Sequence, residues 1–298
     1  MTNRRAQPTP QQTLSLGSDL PVRRLGYGTA QLAGPGYWGP RGSDADAAAL
    51  LRRAVELGVT LVDTADNYGP DVAEERIAAA LHPYGDDLVI ATKGGVVRDS
   101  AEAWHIAGRP EDLRAMCEAS LRRLRVERID LYQLHRLDPE VPMAEQLGAL
   151  GRLRDAGKIR HVGLDSVTAE QLQAALDLDI VPIASVQNRY NVLDRAGEPL
   201  LKLCEARGIA FLPWFPLGNG SLTGHPVCAG IAAAHGATPS QVALAWLLHH
   251  SPVLCPTPGT GSRRHLEENL GGARLALTAG DMERLDRLAE PADLTSRS

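Results

Sequence analysis

Residues 59–93 read VTLVDTADNYGPDVAEERIAAALHPYGDDLVIATK. Two short apolar runs rich in β-branched residues, Val59–Asp63 and Leu88–Thr92, flank a segment near 73–81 whose apolar residues recur at helical spacing. A strand, a helix and a second strand within ~30–35 residues make a βαβ unit. Runs apolar on both faces fit a parallel sheet covered on both sides.

The same unit repeats outward in both directions. Further runs at Leu25–Thr29, Asp130–Leu134, Ile159–Leu164, Ile183–Gln187, Ile209–Trp214 and Val253–Thr257 bring the expected strands to eight. Candidate helices lie near 44–57, 111–125, 142–156, 168–177, 197–207, 238–250 and 263–271, with a further one near 279–289. Ser43 with Asp46 and Thr168 with Gln171 have capping-box spacing, and Thr238 stands as an N-cap before Pro239. Gly58, Gly157 and Gly208 each follow a helix and precede a strand, where a left-handed C-cap is wanted. Eight such units without a Ser- or Pro-rich linker predict an α/β fold, a closed TIM (β/α)8 barrel over residues 13–298, after a flexible N-terminus at 1–12. The stretch Thr13–Arg24, apolar on either side of Gly17-Ser18-Asp19, reads as an added N-terminal β-hairpin placed to plug the barrel's bottom. The segment near 279–289 is then an additional C-terminal helix.

A doubly wound sheet is the structural rival, since it also alternates strand and helix. Gly34-Pro35-Gly36-Tyr37-Trp38-Gly39 does match the GxGxxG pattern of that fold. Pro35 interrupts it, however, and Gly39-Pro40-Arg41-Gly42 follows before any helix begins, so it reads as a long loop. Thirty-one Lys plus Arg against 36 Asp plus Glu give a net charge of −5, which argues against nucleic acid or an anionic membrane as the main partner. No apolar run reaches the ~18 residues of a membrane span, and the opening MTNRRAQPTPQQ lacks the apolar core of a leader, so a cytoplasmic protein is expected. Cys117, Cys204, Cys228 and Cys255 form no CxxC pair and read as reduced packing residues. The histidines show no ligand spacing, and no metal is expected.

Catalytic side chains of such a barrel come from the C-terminal ends of its strands. The run VTLVD ends in Asp63, with Tyr68 five residues on; LVIATK delivers Lys93; DLYQLH delivers His135. Taken singly, these read as a turn cap, a solvated lysine, a packed ring and a satisfied histidine. At the ends of three consecutive strands they make a proton-donating set. A Lys93–Asp63 ion pair beside Tyr68 is expected to favour the phenolate and lower the phenol's pKa, while His135 orients a substrate carbonyl.

These residues fall within DTADNYG (63–69), ATKGG (91–95) and DLYQLH (130–135), and further motifs follow at GKIRHVGLDSV (157–167), VQNRYNVLDR (186–195), WFPLGNGSLTG (214–224) and PTPGTGSRRHLEENL (256–270). On them the chain resembles the aldo-keto reductase family over nearly its whole length. GYGTAQLAGPGYWGP (26–40), ALHPYGDDLVIATK (80–93) and ATPSQVALAWLL (237–248) are similar to a bacterial subgroup that contains pyridoxal reductases.

The resemblance implies reduction of an aldehyde or ketone, with pyridoxal or a related aromatic aldehyde as the small-molecule partner. The hydride would come from NADPH, with NADH also possible. Tyr68 would be the proton donor, tuned by Lys93 and Asp63, with His135 helping to place the carbonyl. It further implies cofactor contacts from Gly28, Thr29, Asp63, Asp165, Ser166 and Gln187, the last on the carboxamide, and from Trp214 stacked on the nicotinamide. Phe215 would also lie at the cofactor, and Leu217, Gly218 and Asn219 would begin the loop over the pyrophosphate. Gly259, Thr260, His265, Glu268 and Asn269 match the adenosine-phosphate segment, where Arg263 and Arg264 favour a phosphate-bearing cofactor. The chain departs from the family's habit at Asp165-Ser166, where Ser-Asn is common, at Phe215, where serine is usual, and at His265, where an arginine often stands.

Loops 30–45, 94–109 and 215–226 follow strands and so face the active-site end, making Trp38, Val97, Trp104 and His105 candidate substrate walls. With only PADLTSRS after the last helix, an open or moderately selective pocket is expected. Two other functions remain compatible with the same residues. One is a cofactor-binding sensor or regulatory subunit, told by tight cofactor binding that no carbonyl discharges. The other is a non-redox biosynthetic enzyme, a dehydratase or cyclase, told by turnover without cofactor.

Overall fold

The computed structural model describes residues 13–100 and 103–289; the segment 1–12, expected to be flexible, lies outside the described residues. The first element is the expected hairpin, β1 (Thr13–Leu16) antiparallel to β2 (Leu20–Arg23). Leu16, Leu20 and Val22 pack with Leu61, Val89, Leu131 and Leu212 inside the barrel. At the hairpin turn, Asp19 pairs with Arg160 at 2.8 Å and His161 at 2.7 Å. Both partners lie at the start of their strand, so the hairpin covers the end of the barrel opposite the strand C-termini.

The strands that follow are β3 (Tyr27–Gly28), β4 (Leu61–Asp63), β5 (Val89–Gly94), a small antiparallel pair β6 (Val96–Val97) and β7 (His105–Ile106), then β8 (Ile129–Leu134), β9 (Ile159–Asp165), β10 (Ile183–Arg189) and β11 (Ala210–Trp214). Seven of them form one parallel sheet in the order β11-β10-β9-β8-β5-β4-β3. Around it lie α1 (Asp44–Glu56), α2 (Val72–Leu81), α3 (Pro110–Leu124), α4 (Met143–Asp155), α5 (Ala169–Leu178), α6 (Glu198–Arg207), α7 (Pro226–His235), α8 (Pro239–His250), α9 (Arg263–Gly271) and α10 (Ala279–Asp286). The larger core lies between helices and sheet, where residues such as Leu51, Ile77, Tyr132, Leu172 and Trp246 are fully buried. Local signals account for many helix ends: Thr168 and Thr238 form capping boxes with Gln171 and Gln241, Ser43 accepts from the Asp46 amide, and Gly208 is a left-handed C-cap.

Two expectations need correction. The run Val253–Thr257 does not form a full eighth strand. It closes the sheet through isolated bridges, Leu254 with Phe211 and Gly259 with Gly28. Phe211 donates to Val253 O and Cys255 donates to Phe211 O on one side; on the other, Gly26 and Gly28 donate to Pro256 O and Pro258 O. Pro256 and Pro258 have no N–H, so neither can donate back to β3, which leaves this seam sparser than a regular ladder. The second correction is α7, a helix the periodicity did not reveal. Its sequence PVCAGIAAAH is almost uniformly small and apolar, and the signals that mark it are Pro226 in its first turn and left-handed Gly236 after its end. No described helix is long and apolar enough to cross a membrane. All four cysteines are buried, and burial pushes their thiols up, Cys228 to about 11 and the others to about 12, as inert packing residues require.

Candidate active site

The C-terminal ends of β4, β5 and β8 bring Asp63, Lys93 and His135 together. Lys93 is fully buried, and its Nζ donates to both carboxylate oxygens of Asp63 and to Thr64 O, each at 2.9 Å. Burial alone would drive this ammonium to lose its proton; Asp63, Tyr68 and Asp165 outweigh it and hold the group above its ordinary value. Gln133 Nε2 also donates to Asp63 Oδ1 at 3.2 Å. The pair is thus fixed from below by the barrel interior.

Tyr68 sits on the turn between β4 and α2. That turn is pinned to β5 by Thr64 N–H on Ala91 O and Asp66 N–H on Lys93 O. The Lys93 ammonium lies 5.2 Å from the centre of the Tyr68 ring. The phenol is nevertheless pushed up to about 12, chiefly by burial. Lys93 pulls in the expected direction and is outweighed, so the tyrosine keeps its proton through neutral pH.

His135 is buried, and burial together with the charges of Lys93 and Arg136 holds it well below the usual imidazole range, so the ring is neutral. Its Nδ1 lies 3.2 Å from Asn67 Nδ2, which also donates to Val96 O at 3.3 Å. A carbonyl can only accept, so this end of the Asn67 amide is the NH2 group and Nδ1 must accept from it. The imidazole proton is therefore on Nε2. Neither Asn67 nor this tautomer was apparent before folding, although Asn67 lies inside the DTADNYG stretch.

These groups border a cavity of about 600 Å³. Of the residues expected around cofactor and substrate, its wall holds Gly28, Asp63, Asp165, Ser166, Gln187, Trp214, Phe215, Leu217, Asn219, Gly259 and Trp104, with Tyr68 and His135 between them. Gln187 is buried there and its side chain makes no hydrogen bond among the described residues. Asp165 accepts from Ser166 Oγ at 2.6 Å, and burial pushes its carboxyl up to about 7. The Trp214 and Phe215 rings meet edge to face at 4.9 Å, and Gly218 to Gly220 turn through left-handed backbone beside them.

Other expected residues stand elsewhere. Thr29 is buried beneath the wall, donating through Oγ1 and its amide to Asp63 O. Thr260 is also buried; its Oγ1 accepts from Ser262 N–H, and Ser262 caps α9. On α9, Arg263 pairs with Glu267 at 3.1 Å, Arg264 reaches His265 Nε2 at 3.0 Å, Glu268 O accepts from Gln241, and Asn269 is buried. Trp38, Val97 and His105 lie off the cavity wall. Val97 and His105 pair across the β6–β7 hairpin with both side chains exposed, His105 against Asp99, and Trp38 packs under Arg98. In their place the structure supplies Tyr37, 5.9 Å from the Tyr68 ring and 6.2 Å from Trp104, and Arg136 beside His135. Among the described residues no group of three His, Cys, Asp or Glu is placed to hold a metal.

The Aldo/keto reductase family profile matches residues 24–290. The chain belongs to the aldo/keto reductase family. It is an NAD(P)H-dependent oxidoreductase of that family. It is 40% identical over 282 residues to an oxidoreductase of Schizosaccharomyces pombe, covering 94% of this chain and 91% of that one. It is 38% identical over 283 residues to pyridoxine 4-dehydrogenase of Escherichia coli, covering 93% and 98%. Among solved structures, a thermostable aldo-keto reductase in complex with the inhibitor epalrestat superposes with a TM-score of 0.84 at 31% identity, covering 94% of this chain and 100% of that one. An aldo-keto reductase from Klebsiella pneumoniae in complex with NADPH superposes at 0.81 with 26% identity, covering 95% and 96%. The eight-unit barrel expected from the repeating strands is thus the fold of this family.

Proposed function

We propose that this aldo/keto reductase reduces an aldehyde or ketone to the alcohol with NADPH, aromatic aldehydes such as pyridoxal among its substrates. The observation that carries the reading is one cavity in which a protonated Tyr68 backed by Lys93 and a neutral His135 bearing its proton on Nε2 face an unsatisfied Gln187 amide and the Trp214 ring. The similarity to pyridoxine 4-dehydrogenase supports the substrate class, and the NADPH complex of a structural relative supports the cofactor.

The residues present fit the cofactor. Gln187 offers both a donor and an acceptor to a carboxamide. Asp165, titrating near 7, can donate as an acid as well as accept. Ser262 caps the His265 amide of α9, leaving the Arg263 and Arg264 amides and the Arg264 guanidinium for phosphate oxygens. NADPH, when bound, supplies the hydride. His135 Nε2–H holds the carbonyl oxygen, and Tyr68 Oη–H gives it a proton as that oxygen gains charge. The phenolate left behind faces the Lys93 ammonium, and solvent returns the proton.

The test is NADPH oxidation with pyridoxal and a panel of aldehydes, NADH run alongside, for the wild type and Tyr68→Phe. The variant should lose about 10²–10⁴-fold in kcat while its NADPH Kd stays put. Comparable turnover in the variant would remove Tyr68 from the acid role. No oxidation by the wild type with either cofactor would overturn the reductase reading.

A further inference from the structure

We propose that Arg136 selects aromatic carbonyl substrates that carry an oxyanion, a carboxylate or a phosphate ester, and binds that group at the mouth of the cavity. The inference rests on the carbonyl-reductase reading above and adds the substrate's second functional group.

Among the described residues, the cations around the cavity are already engaged, with one exception. Lys93 gives its three donors to Asp63 and Thr64. The Arg98 guanidinium lies 4.1 Å from the Trp104 ring and 5.5 Å from Trp38, and donates to Tyr37 O at 2.7 Å. His135 is neutral. Arg136 lines the cavity, is exposed, and makes no hydrogen bond or ion pair among the described residues. Its charge reaches into the site, since it acts on both His135 and Asp165.

The neighbouring wall supplies the rest of the recognition. Trp104 stands edge-on to His135 at 6.4 Å and to Tyr37 at 6.2 Å, so a planar ring has an aromatic surface to lie against while its carbonyl meets His135 Nε2. Arg136 directly follows His135 on the loop leaving β8, which sets a five-donor planar fork beside the carbonyl-binding group. Such a fork takes a carboxylate or phosphate through two parallel hydrogen bonds. Because the guanidinium is already at the rim, pairing it requires no charge to be buried anew.

Two substrate pairs test this: 4-formylbenzoate with its methyl ester, and pyridoxal 5′-phosphate with pyridoxal. In the wild type, kcat/KM should favour the anionic member of at least one pair by about 10-fold or more, chiefly through KM, and the preference should shrink with added salt. Arg136→Gln should abolish that preference, and Arg136→Lys should keep part of it. Which pair responds tells carboxylate from phosphate. Quenching of tryptophan fluorescence by the unreactive 4-(hydroxymethyl)benzoate and its methyl ester, with and without NADP+, reads the same preference apart from turnover. A charge preference in binding that depends on Arg136 sustains the inference even if no aldehyde is reduced, an outcome that would sink only the reductase reading. Equal handling of both members of both pairs, or a preference that survives Arg136→Gln, overturns it.

Discussion

Asp165 shows how one buried side chain sets a pH dependence. Its carboxyl titrates near 7, largely because burial disfavours the charge, while an Asp in the unfolded chain has a value near 3.8. Between these values the folded protein holds a proton that the unfolded chain has released. The contribution of Asp165 to stability is therefore greatest at acid pH, falls as pH rises from about 4 to about 7, and is constant above. Asp165→Asn keeps the acceptor for Ser166 Oγ and removes the titration. Its stability relative to wild type should rise between pH 5 and pH 8 by an amount on the order of 1–3 kcal/mol, read from urea midpoints at the two pH values. A pH-independent difference would mean that Asp165 ionises as it does in water. The Asp165-Ser166 pair was visible as a departure from the family's habit, but its protonation was not, because it depends on what covers it.

At the scale of elements, α2 is held to the barrel through a buried carboxylate. Glu74 is fully buried; Oε1 accepts from Thr92 Oγ1 on β5 and Oε2 from Arg123 Nε on α3, both at 2.6 Å. Arg123 also pairs with Asp71 at 3.0 Å, just before α2 begins. This network fixes the helix that follows the Tyr68 turn. Glu74→Ala leaves Arg123 with only the exposed Asp71 to balance its charge, beside the neutral Ser120 hydroxyl, and leaves Thr92 Oγ1 without a partner among the described residues; it should cost about 3 kcal/mol in urea unfolding, Glu74→Gln less. A loss below about 1 kcal/mol would show that water replaces the carboxylate. In sequence, VAEERIAAAL identifies a helix but not that Glu74 faces inward. The arginine that makes this tolerable is 49 residues away. The small-residue helix α7 escaped for a different reason: a segment without a polar face has no periodicity to read.

For the whole molecule, the barrel depends on closing β3 against the segment 253–259. Gly28 lies at that seam and on the cavity wall, and a Cβ there would meet Thr257 O at 2.5 Å. Backbone cannot step aside as a side chain can. Gly28→Ala should destabilise the fold by about 1–3 kcal/mol and weaken NADPH binding together, as urea unfolding and a cofactor titration would show. Normal values for both would mean that the seam has slack.

What the sequence determined by itself is written locally. The strand and helix periods, the caps, and the residues that end each run are properties of a few neighbouring positions, so the barrel and the convergence of Asp63, Lys93 and His135 were legible, and Tyr68 with them. Only the tertiary structure decided which loop side chains wall the cavity, placing Trp104 and Tyr37 on it while Trp38, Val97 and His105 stand off it. It likewise decided that Tyr68 lies above its ordinary pKa, that Asn67 puts the imidazole proton on Nε2, and that Arg136 is unpaired among the described residues. The physical reason is common to all of these: burial, charge pairing and loop path are set by groups distant in the chain, and no local pattern records who those neighbours will be.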